Sequence, residues 1–336
     1  MIWYEDTTND DIIVSTRVRL ARNLEKYPFP NSMTSEQISN ATKEIEDGIL
    51  NSNSTLSNIF KTYHIGETTE VEKKMLFEKH LISPDLLRKP NSAVMISNDD
   101  KMSIMLMEED HIRLQIILGG FKIDEAFELA TKVDDVIDEH IKYAFNKDFG
   151  YLTSCPTNTG TGLRASVMMH LPALTLTNNI SRIISSAGNL GIAVRGLYGE
   201  GSKAYGNLYQ ISNQITLGLS EEEIIGKVKN IVNQIKEHEK EARQRLLENN
   251  KDYLEDKFYR SLGTLKYARS MSSSEAKTLI SDVIIGKNMG IIDDISENLF
   301  KLMIMTEPAV IENKIGKSLT PEERDRERAK QIRELL

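Results

Sequence analysis

The sequence has very little cysteine: Cys155 is the single one in 336 residues. A lone cysteine excludes an intrachain disulfide and fits a reducing compartment. No apolar run approaches the roughly 20 residues that a membrane-spanning helix needs. The first residues, MIWYEDTTNDD, are acidic and lack the apolar core of a signal peptide. These absences predict a cytoplasmic protein with no membrane partner.

The sequence also lacks an excess of basic residues. It has 42 lysines and arginines against 50 aspartates and glutamates, which gives a formal net charge of −8. A general nucleic-acid binder normally carries a basic excess, so we expect no direct nucleic-acid partner. The hydrophobic fraction of 40% and the charged fraction of 27% are ordinary for a soluble globular protein. The length suggests two domains.

Strand and helix patterns alternate up to about Glu237. We expect extended segments at 12–22, 93–97, 103–107, 114–118, 165–171, 191–195, 209–212 and 215–217, the last two forming a closing hairpin, with irregular chain at 52–70. Capping boxes at Thr34 and Ser220 predict two helix starts. Asp124 is expected to cap a helix that reaches about Phe145, and a further helix is expected at 178–189. Beyond Glu237 the patterns predict helices alone, at 275–285, at 295–305 and from Thr320. The sequence therefore predicts an α+β domain over 1–238 and an all-helical domain over 239–336.

Residues 152–166, LTSCPTNTGTGLRAS, concentrate small, polar and basic side chains. Gly160 and Gly162 allow a close backbone approach or a positive φ. The threonine hydroxyls and the Asn158 amide, beside exposed backbone N–H groups, suit phosphate oxygens. Arg164 adds a permanent charge with forked donors. Because the run lacks the Gly-Lys-Ser/Thr ending of a Walker A loop, composition alone leaves an ordinary loop between two strands as an equal alternative.

More charged residues stand near predicted strands. Arg17 and Arg19 would share one face of an extended segment, since side chains alternate along a strand. The segment EEDHIR, Glu108–Arg113, places four ionisable groups and an arginine after a strand, where catalytic side chains tend to lie. Arg195 and Glu200 belong to the glycine-rich run RGLYGEGS. Taken alone, the segment with Arg17 and Arg19 is typical of a solvated edge strand, and the segment EEDHIR is typical of a solvated acidic turn.

Together, these segments strongly resemble the phosphagen (guanidino) kinase family. The motifs STRVRLAR, EEDHIR, CPTNTGTGLRAS and RGLYGEGS occur in this order within residues 12–236. The layout and the run SVMMHLPAL are similar to the McsB-type protein arginine kinases within that family. Where the family usually has a histidine in its ATP-site strand, this sequence has Met168. Kinases of small guanidines carry a helical domain ahead of the first motif. In this sequence the first motif starts at Val14, so we expect the acceptor side of the active-site cleft to be open to a protein loop.

The resemblance implies an antiparallel sheet flanked by helices, and transfer of the γ-phosphoryl group of ATP to arginine side chains of proteins in the presence of Mg²⁺. It implies that Glu109 and Glu200 hold and deprotonate the acceptor guanidinium, with Cys155 beside it. The arginines that would surround the phosphates are Arg17, Arg19, Arg113, Arg164 and Arg195. No dedicated metal ligands are expected, because phosphate and water ligands suffice for Mg²⁺.

The last predicted helix carries a second candidate site. Thr320–Glu323 is a capping box with proline at the first helical position. The run RDRERA from Arg324 matches an RDxxRA motif that the resembled family is thought to use for phosphoarginine binding. Arg324 and Arg328 would share one face of the helix, with Asp325 beside them. Composition alone favours a solvated helix here.

The resemblance also implies partners. These are protein substrates marked for regulated proteolysis during stress, a McsA-type zinc-binding activator, a CtsR-type repressor and the ClpC–ClpP protease. Apolar positions of the C-terminal helices would form a homodimer interface. Two alternatives stay open at this point: a kinase of free arginine or another small guanidine, and a catalytically weak, kinase-like regulatory protein that binds a repressor or a protease adaptor.

Overall fold

The computed structural model describes the whole chain except residues 1, 7–9, 52–54, 197–204, 294 and 296–297. The strands in the described residues are β1 (Ile13–Arg22), β2 (Phe60–His64), β3 (Ala93–Ser97), β4 (Met102–Leu106), β5 (Ile112–Gly119), β6 (Phe145–Asn146), β7 (Gly150–Tyr151), β8 (Leu163–His170), β9 (Ile192–Gly196) and β10 (Leu208–Asn213). The α-helices there are α1 (Ser35–Leu50), α2 (Glu70–Glu78), α3 (Ile123–Asp138), α4 (Pro172–Leu176), α5 (Ile180–Asn189), α6 (Glu221–Tyr267), α7 (Ser273–Asn288), α8 (Leu299–Met305), α9 (Pro308–Ile315) and α10 (Pro321–Leu335).

One eight-stranded sheet has the strand order β2-β3-β4-β5-β1-β8-β10-β9, and β6 pairs with β7 in a short hairpin. The pairs β2–β3, β3–β4, β4–β5 and β5–β1 are antiparallel. Every residue of β3 is buried, so both faces of this strand are covered. The prediction of an α+β protein with an antiparallel sheet and a helical C-terminal part is confirmed.

The chain divides into two compact units. The first unit comprises Met1–Asp6, Ser15–Ser166 and Ser212–Lys229, and the second comprises Thr7–Val14, Val167–Ile211 and Asn230–Leu336. Helix α6 continues through the change in composition near Glu237, and the domain division at 238/239 stays a prediction. Among the described helices, none combines the length and the apolarity needed to cross a lipid bilayer.

In the first unit, a buried ion pair joins β1 to α3. Arg22 lies on the face of β1 opposite Arg17 and Arg19, because side chains alternate along the strand. Its Nη2 is 2.7 Å from Oδ2 of Asp134, and the two side chains are 2% and 10% exposed. The Tyr143 hydroxyl donates to the other carboxylate oxygen over 2.9 Å. This network therefore lies on the face of β1 opposite Arg17 and Arg19.

In the second unit, Glu239 on α6 holds the start of α4. Its two carboxylate oxygens accept from the backbone N–H groups of Ala173 and Leu174, each over 3.0 Å. Arg243, one turn further along α6, donates to the same carboxylate over 2.9 Å. The first turn of a helix has backbone donors without intrahelical partners. A fully buried carboxylate therefore serves here as a cap supplied by a distant helix.

The three capping boxes proposed from the sequence are present. Thr34 and Thr320 accept from the backbone of the third helical residue, whose side chain accepts in return from the cap backbone. The same two bonds link Ser220 and Glu223 at the start of α6. Local sequence thus fixed where α1, α6 and α10 begin.

Three other sequence-based assignments are wrong. Strand β2 lies in the segment that was expected to be irregular; Phe60, Thr62 and Tyr63 are half-buried, and Lys61 and His64 are exposed. Helix α3 starts at Ile123 without a side-chain cap and ends at Asp138 rather than near Phe145. Residues 215–217 are not a strand, so they form no hairpin with β10.

Candidate active site

Neighbouring strands of the first unit bring arginines to one face of the sheet. Ala21 is the register partner of Arg113 across β1 and β5. Facing residues of an antiparallel pair project to the same side, so Arg113 shares the face of Arg17 and Arg19. The charge of Arg164, at the start of β8, acts on both Arg17 and Arg19. This clustering of arginines was expected from the sequence.

The clustered guanidiniums repel one another in a partly buried environment. Burial, followed by the charges of Arg113 and Arg164, lowers the pKa of Arg17 to about 10. The same causes lower the pKa of Arg19 well below its ordinary value. In the described part of the chain, neither Arg17 nor Arg19 makes a direct salt bridge, and Nε of Arg19 is buried without a hydrogen-bond partner. Desolvated, unpaired like charges are stabilised by a bound polyanion.

Arg113 differs because a carboxylate fixes it. Its Nη1 donates to both oxygens of Glu108, over 2.7 and 2.6 Å. The Ser83 hydroxyl donates to the same carboxylate. Burial alone would raise the pKa of Glu108, but the charge of Arg113 and these hydrogen bonds hold it below its ordinary value. Glu108 is 1% exposed, so it orients Arg113 and is closed to a substrate.

Glu109, the next residue, lies half-buried in the turn between β4 and β5. The turn begins at Met107 with a φ of 59°, which is unusual for a residue other than glycine. Oε2 of Glu109 accepts from Nδ2 of Asn158 over 3.3 Å, and its backbone oxygen accepts from the Ser154 hydroxyl over 2.7 Å. Burial, and then the charge of Asp110, raises the pKa of Glu109. A carboxylate with a raised pKa that touches the 152–166 loop is a good candidate for a general base.

Asp110 and His111 point inward, so the interpretation of this segment as a solvated turn is wrong. Oδ1 of Asp110 accepts from the backbone N–H of Ser154 over 2.7 Å. Nδ1 of His111 accepts from the backbone N–H of Leu24 over 3.0 Å, and Nε2 lies 2.9 Å from the Pro28 oxygen. Burial lowers the pKa of His111 to about 4. Both side chains therefore hold neighbouring backbone segments in place through hydrogen bonds.

The loop around Cys155 is held by its own chain. Gly160 and Gly162 have positive φ values of 113° and 65°, as the sequence predicted. A methyl group on Gly160 would lie 2.5 Å from the Thr216 oxygen, so the close approach is to another backbone segment. Cys155 is partly exposed, and its Sγ lies 3.0 Å from the Thr157 hydroxyl. Thr216 therefore packs against this loop. It lies in the segment that was wrongly expected to be a strand.

The first unit thus contains most of the residues expected at the active site, namely the proposed phosphate-binding residues Arg17, Arg19, Arg113 and Arg164 and the proposed catalytic residues Glu109 and Cys155. Arg195 lies on β9 in the second unit, and Glu200 lies outside the described residues. Sequence reasoning missed Glu108 and Thr216, because nothing in the local pattern separates them from neighbours with other roles. The sequence indicates Asn158 as a hydrogen-bond donor but does not predict its contact with Glu109.

The candidate site on α10 belongs to the second unit. Arg328 is 1% exposed, and its Nε and Nη1 donate to two backbone oxygens over 2.8 Å each. Its Nη1 also lies 2.5 Å from Oδ1 of Asp325. The Arg324 side chain is 29% exposed, and its Nη1 lies 3.3 Å from a Glu312 oxygen. The two guanidiniums therefore have very different surroundings.

Two protein families match the chain. The C-terminal catalytic domain of ATP:guanido phosphotransferases matches residues 40–242, and the McsB C-terminal domain of protein-arginine kinases matches residues 251–336. The protein-arginine kinase of Brevibacillus brevis is 45% identical over 330 residues, which cover 98% of this chain and 92% of the relative. That of Bacillus subtilis is 46% identical over 327 residues, which cover 97% of this chain and 90% of the relative.

Solved structures of phosphagen kinases have the same fold. A lombricine kinase superposes with a TM-score of 0.61 at 25% identity, over 69% of this chain and 67% of that one. A duplicated taurocyamine kinase from Schistosoma mansoni, with bound components of a transition-state analogue, superposes with a TM-score of 0.62 at 26% identity, over 71% of this chain and 34% of that one. The predicted phosphagen-kinase-like sheet is therefore confirmed.

Proposed function

Because this chain belongs to the protein-arginine kinase family, with an ATP:guanido phosphotransferase catalytic domain, we propose that it transfers the γ-phosphoryl group of ATP to arginine side chains of proteins. The observation that carries the proposal is the pair Arg17 and Arg19. Both are desolvated, neither makes a salt bridge within the described part of the chain, and the charges of Arg113 and Arg164 act on them. A triphosphate supplies the negative charge that this pair lacks.

In this proposal, Arg17, Arg19, Arg113 and Arg164 bind the phosphate oxygens of ATP. Glu108 sets the direction of the Arg113 fork through its two hydrogen bonds. The assignment of Arg195 to the same task rests on its motif alone. Among the described residues, no three His, Cys, Asp or Glu side chains come together as a metal site. Mg²⁺ would therefore be held by phosphate oxygens and water, where it offsets their negative charge.

The acceptor guanidinium is protonated at neutral pH and is a poor nucleophile. We assign Glu109, together with Glu200, to bind it and to align one nitrogen with the γ-phosphorus. The N–P bond forms as the bond from the γ-phosphorus to the bridging oxygen breaks, and that oxygen keeps the electron pair and leaves with ADP. The displaced guanidinium proton passes to the carboxylate. The raised pKa of Glu109 brings this carboxylate closer to the range in which it can accept a proton.

Finer assignments belong to the same proposal. We infer that the enzyme is cytoplasmic and dimeric, that its substrates are stress-response proteins marked for proteolysis, and that its partners are the McsA-type activator, the CtsR-type repressor and ClpC–ClpP. We also assign phosphoarginine binding to Arg324, Asp325 and Arg328. The resemblance of the motifs supports these assignments, and the partial exposure of Arg324 supports the last one.

The deciding experiment follows phosphate transfer from labelled ATP to an arginine-rich protein and, separately, to free arginine. Glu109→Gln and Glu200→Gln keep side-chain shape and remove the charge, so each should lower turnover by orders of magnitude. Glu128→Gln is the control, because this exposed glutamate on α3 belongs to a surface pair with Lys132, one helical turn away.

Three outcomes would contradict the proposal. Transfer to free arginine but not to protein would indicate a small-guanidine kinase. No consumption of ATP with either acceptor would indicate a regulatory binding protein. A folded Glu109→Gln variant with near-normal turnover would remove Glu109 from the mechanism.

A further inference from the structure

Large apolar side chains are exposed around the loop that carries Cys155. Phe145 and Phe149, in and after β6, are 57% and 55% exposed, and Ile215 and Leu217, after β10, are 52% and 48% exposed. All four belong to the first unit. We call these four residues the apolar rim. Exposed apolar side chains that cluster beside a site indicate a surface that binds another molecule.

The first half of the rim is fixed to the loop through backbone contacts. The backbone N–H of Tyr151 donates to the Gly160 oxygen over 2.8 Å, and the N–H of Gly160 donates back over 3.3 Å. A methyl group on Gly150 would lie 2.5 Å from the same Gly160 oxygen. The chain directly after Phe149 therefore packs against Gly160 with no room for a side chain between them.

The second half of the rim contacts the same glycine. A methyl group on Gly160 would lie 2.5 Å from the Thr216 oxygen and 2.9 Å from Cα of Leu217. Gly160 thus touches the segment after Phe149 and the segment that carries Leu217. This packing requires glycine at position 160 and places the two halves of the rim on segments that both flank the loop.

Thr216 links the rim to the proposed catalytic carboxylate. Its hydroxyl lies within hydrogen-bonding distance of the Thr157 and Thr159 oxygens, at 2.9 and 2.7 Å. Between those two carbonyls lies Asn158, whose side-chain amide is 3.3 Å from Oε2 of Glu109. Two hydrogen-bond contacts, one on each side of Asn158, therefore connect the segment with the exposed apolar residues beside Thr216 to the carboxylate that we assign to bind the acceptor arginine.

We propose that the apolar rim binds apolar side chains that flank the acceptor arginine in a protein segment. The inference rests on the proposed function, and it names the kind of segment that the enzyme selects. The rim thus favours acceptor arginines that have apolar residues beside them.

The test uses two acceptor peptides of equal length and charge, each with one arginine. Leucine and phenylalanine flank the arginine in the first peptide, and glycine and serine flank it in the second. The measured quantity is the ratio of kcat/KM for the first peptide to that for the second. We expect a ratio of at least about 10 for the unmodified enzyme, because two half-buried apolar side chains contribute at least this factor.

The Phe149→Ser/Leu217→Ser double variant should bring the ratio close to one. Leu190→Ser is the matched control, because Leu190 is 60% exposed and lies in the second unit, so this variant should keep the ratio. The single variants Phe149→Ser and Leu217→Ser, each expected to lower the ratio in part, replace the double variant if thermal unfolding shows that it does not fold.

Each other outcome has a definite meaning. A ratio near one for the unmodified enzyme, or an unchanged ratio in the double variant, overturns the rim proposal and leaves the kinase function intact. An unchanged ratio together with a lower molar mass of the double variant by light scattering assigns the rim to contact between copies of the chain, and also overturns it. Phosphorylation of neither peptide overturns the proposed function and this inference with it.

Discussion

Nδ2 of Asn158 donates a hydrogen bond to Oε2 of Glu109 over 3.3 Å. The bond joins the Cys155 loop to the turn between β4 and β5. The Ser154 hydroxyl joins the same two segments, because it donates to the backbone oxygen of Glu109. A hydrogen bond to a carboxylate favours its charged form and restricts its orientation. Asn158 is therefore a positioning residue for the proposed base.

Asn158→Ala should lower kcat by about ten-fold and change KM much less, because it removes one hydrogen bond that orients Glu109. It should also raise the pKa of the acid limb of the kcat/KM profile, an effect that a merely structural role would not produce. Asn189→Ala, at the exposed end of α5, is the control. An unchanged acid limb in a folded Asn158→Ala variant would show that the bond has no role in tuning Glu109.

The acid limb of kcat/KM should lie above the ordinary glutamate pKa of 4.5. Burial, and then the negative charge of Asp110, disfavours the charged form of Glu109 in the free enzyme. The profile of kcat/KM reports groups of the free enzyme, so it is the measurement to make. Enzyme held at each acid pH and assayed after return to neutral pH controls for unfolding. A limb at or below the ordinary value would contradict the assignment of Glu109 as the base.

The parts of the site that depend on local regularity could be predicted from sequence. Arg17 and Arg19 share a face because strands alternate, and the positive φ of Gly160 follows from the loop composition. The roles of Glu108 and Asp110 could not be predicted in this way. Adjacent residues in a tight turn have no periodicity, and their burial depends on Arg113 and Ser154 from other segments.

The same limit explains the wrong assignment at residues 215–217. The run from Ile215 to Leu217 has the composition of a strand, yet the Thr216 hydroxyl lies at hydrogen-bonding distance from the Thr157 and Thr159 oxygens in the distant loop. Tertiary contacts override β propensity where a backbone segment has other partners. The result is an irregular segment whose apolar side chains remain exposed.

Alkylation of Cys155 should slow phosphorylation, because the part-exposed thiol lies in the loop beside Glu109 and an added group would crowd the acceptor. ATP together with an acceptor protein should protect the thiol. The measurement is residual activity against time with a small thiol reagent, and a Cys155→Ala variant should be insensitive. An unmodified enzyme that keeps full activity after complete alkylation would return Cys155 to a structural role.

His111 should make the fold less stable in mild acid. Its side chain is fully buried, and burial lowers its pKa from 6.5 to about 4. Below the unfolded value the unfolded chain binds a proton that the folded chain does not, so stability falls as the pH drops from 6.5 toward 4. Linkage gives a loss of about 2 kcal/mol between about pH 7 and pH 5.

Denaturant unfolding of His111→Gln and of the exposed control His140→Gln at both pH values would measure that loss. The His111→Gln variant should be less stable at neutral pH but should lose less on acidification than the unmodified protein. The control should lose as much as the unmodified protein. Equal losses in all three proteins would show that His111 does not contribute to the acid sensitivity.

Variants at Arg324 and Arg328 should distinguish phosphoarginine binding from the stability of the fold. Arg328→Ala leaves the Asp325 carboxylate and two buried backbone oxygens without their donor, so it should cost about 3 kcal/mol of folding free energy. Arg324→Ala removes a partly exposed charge, so it should leave the thermal unfolding temperature nearly unchanged.

If α10 binds phosphoarginine, Arg324→Ala should weaken binding at least about ten-fold, since a charge-assisted fork to the phosphoryl group is lost. Arg324→Lys keeps the charge and loses the fork, so it should bind with intermediate affinity. Calorimetric titration with phosphoarginine, with the catalytic residues untouched, measures each affinity. Equal binding by the unmodified protein, Arg324→Ala and the Arg324→Ala/Arg328→Ala double variant would show that α10 is a solvated helix with a structural arginine.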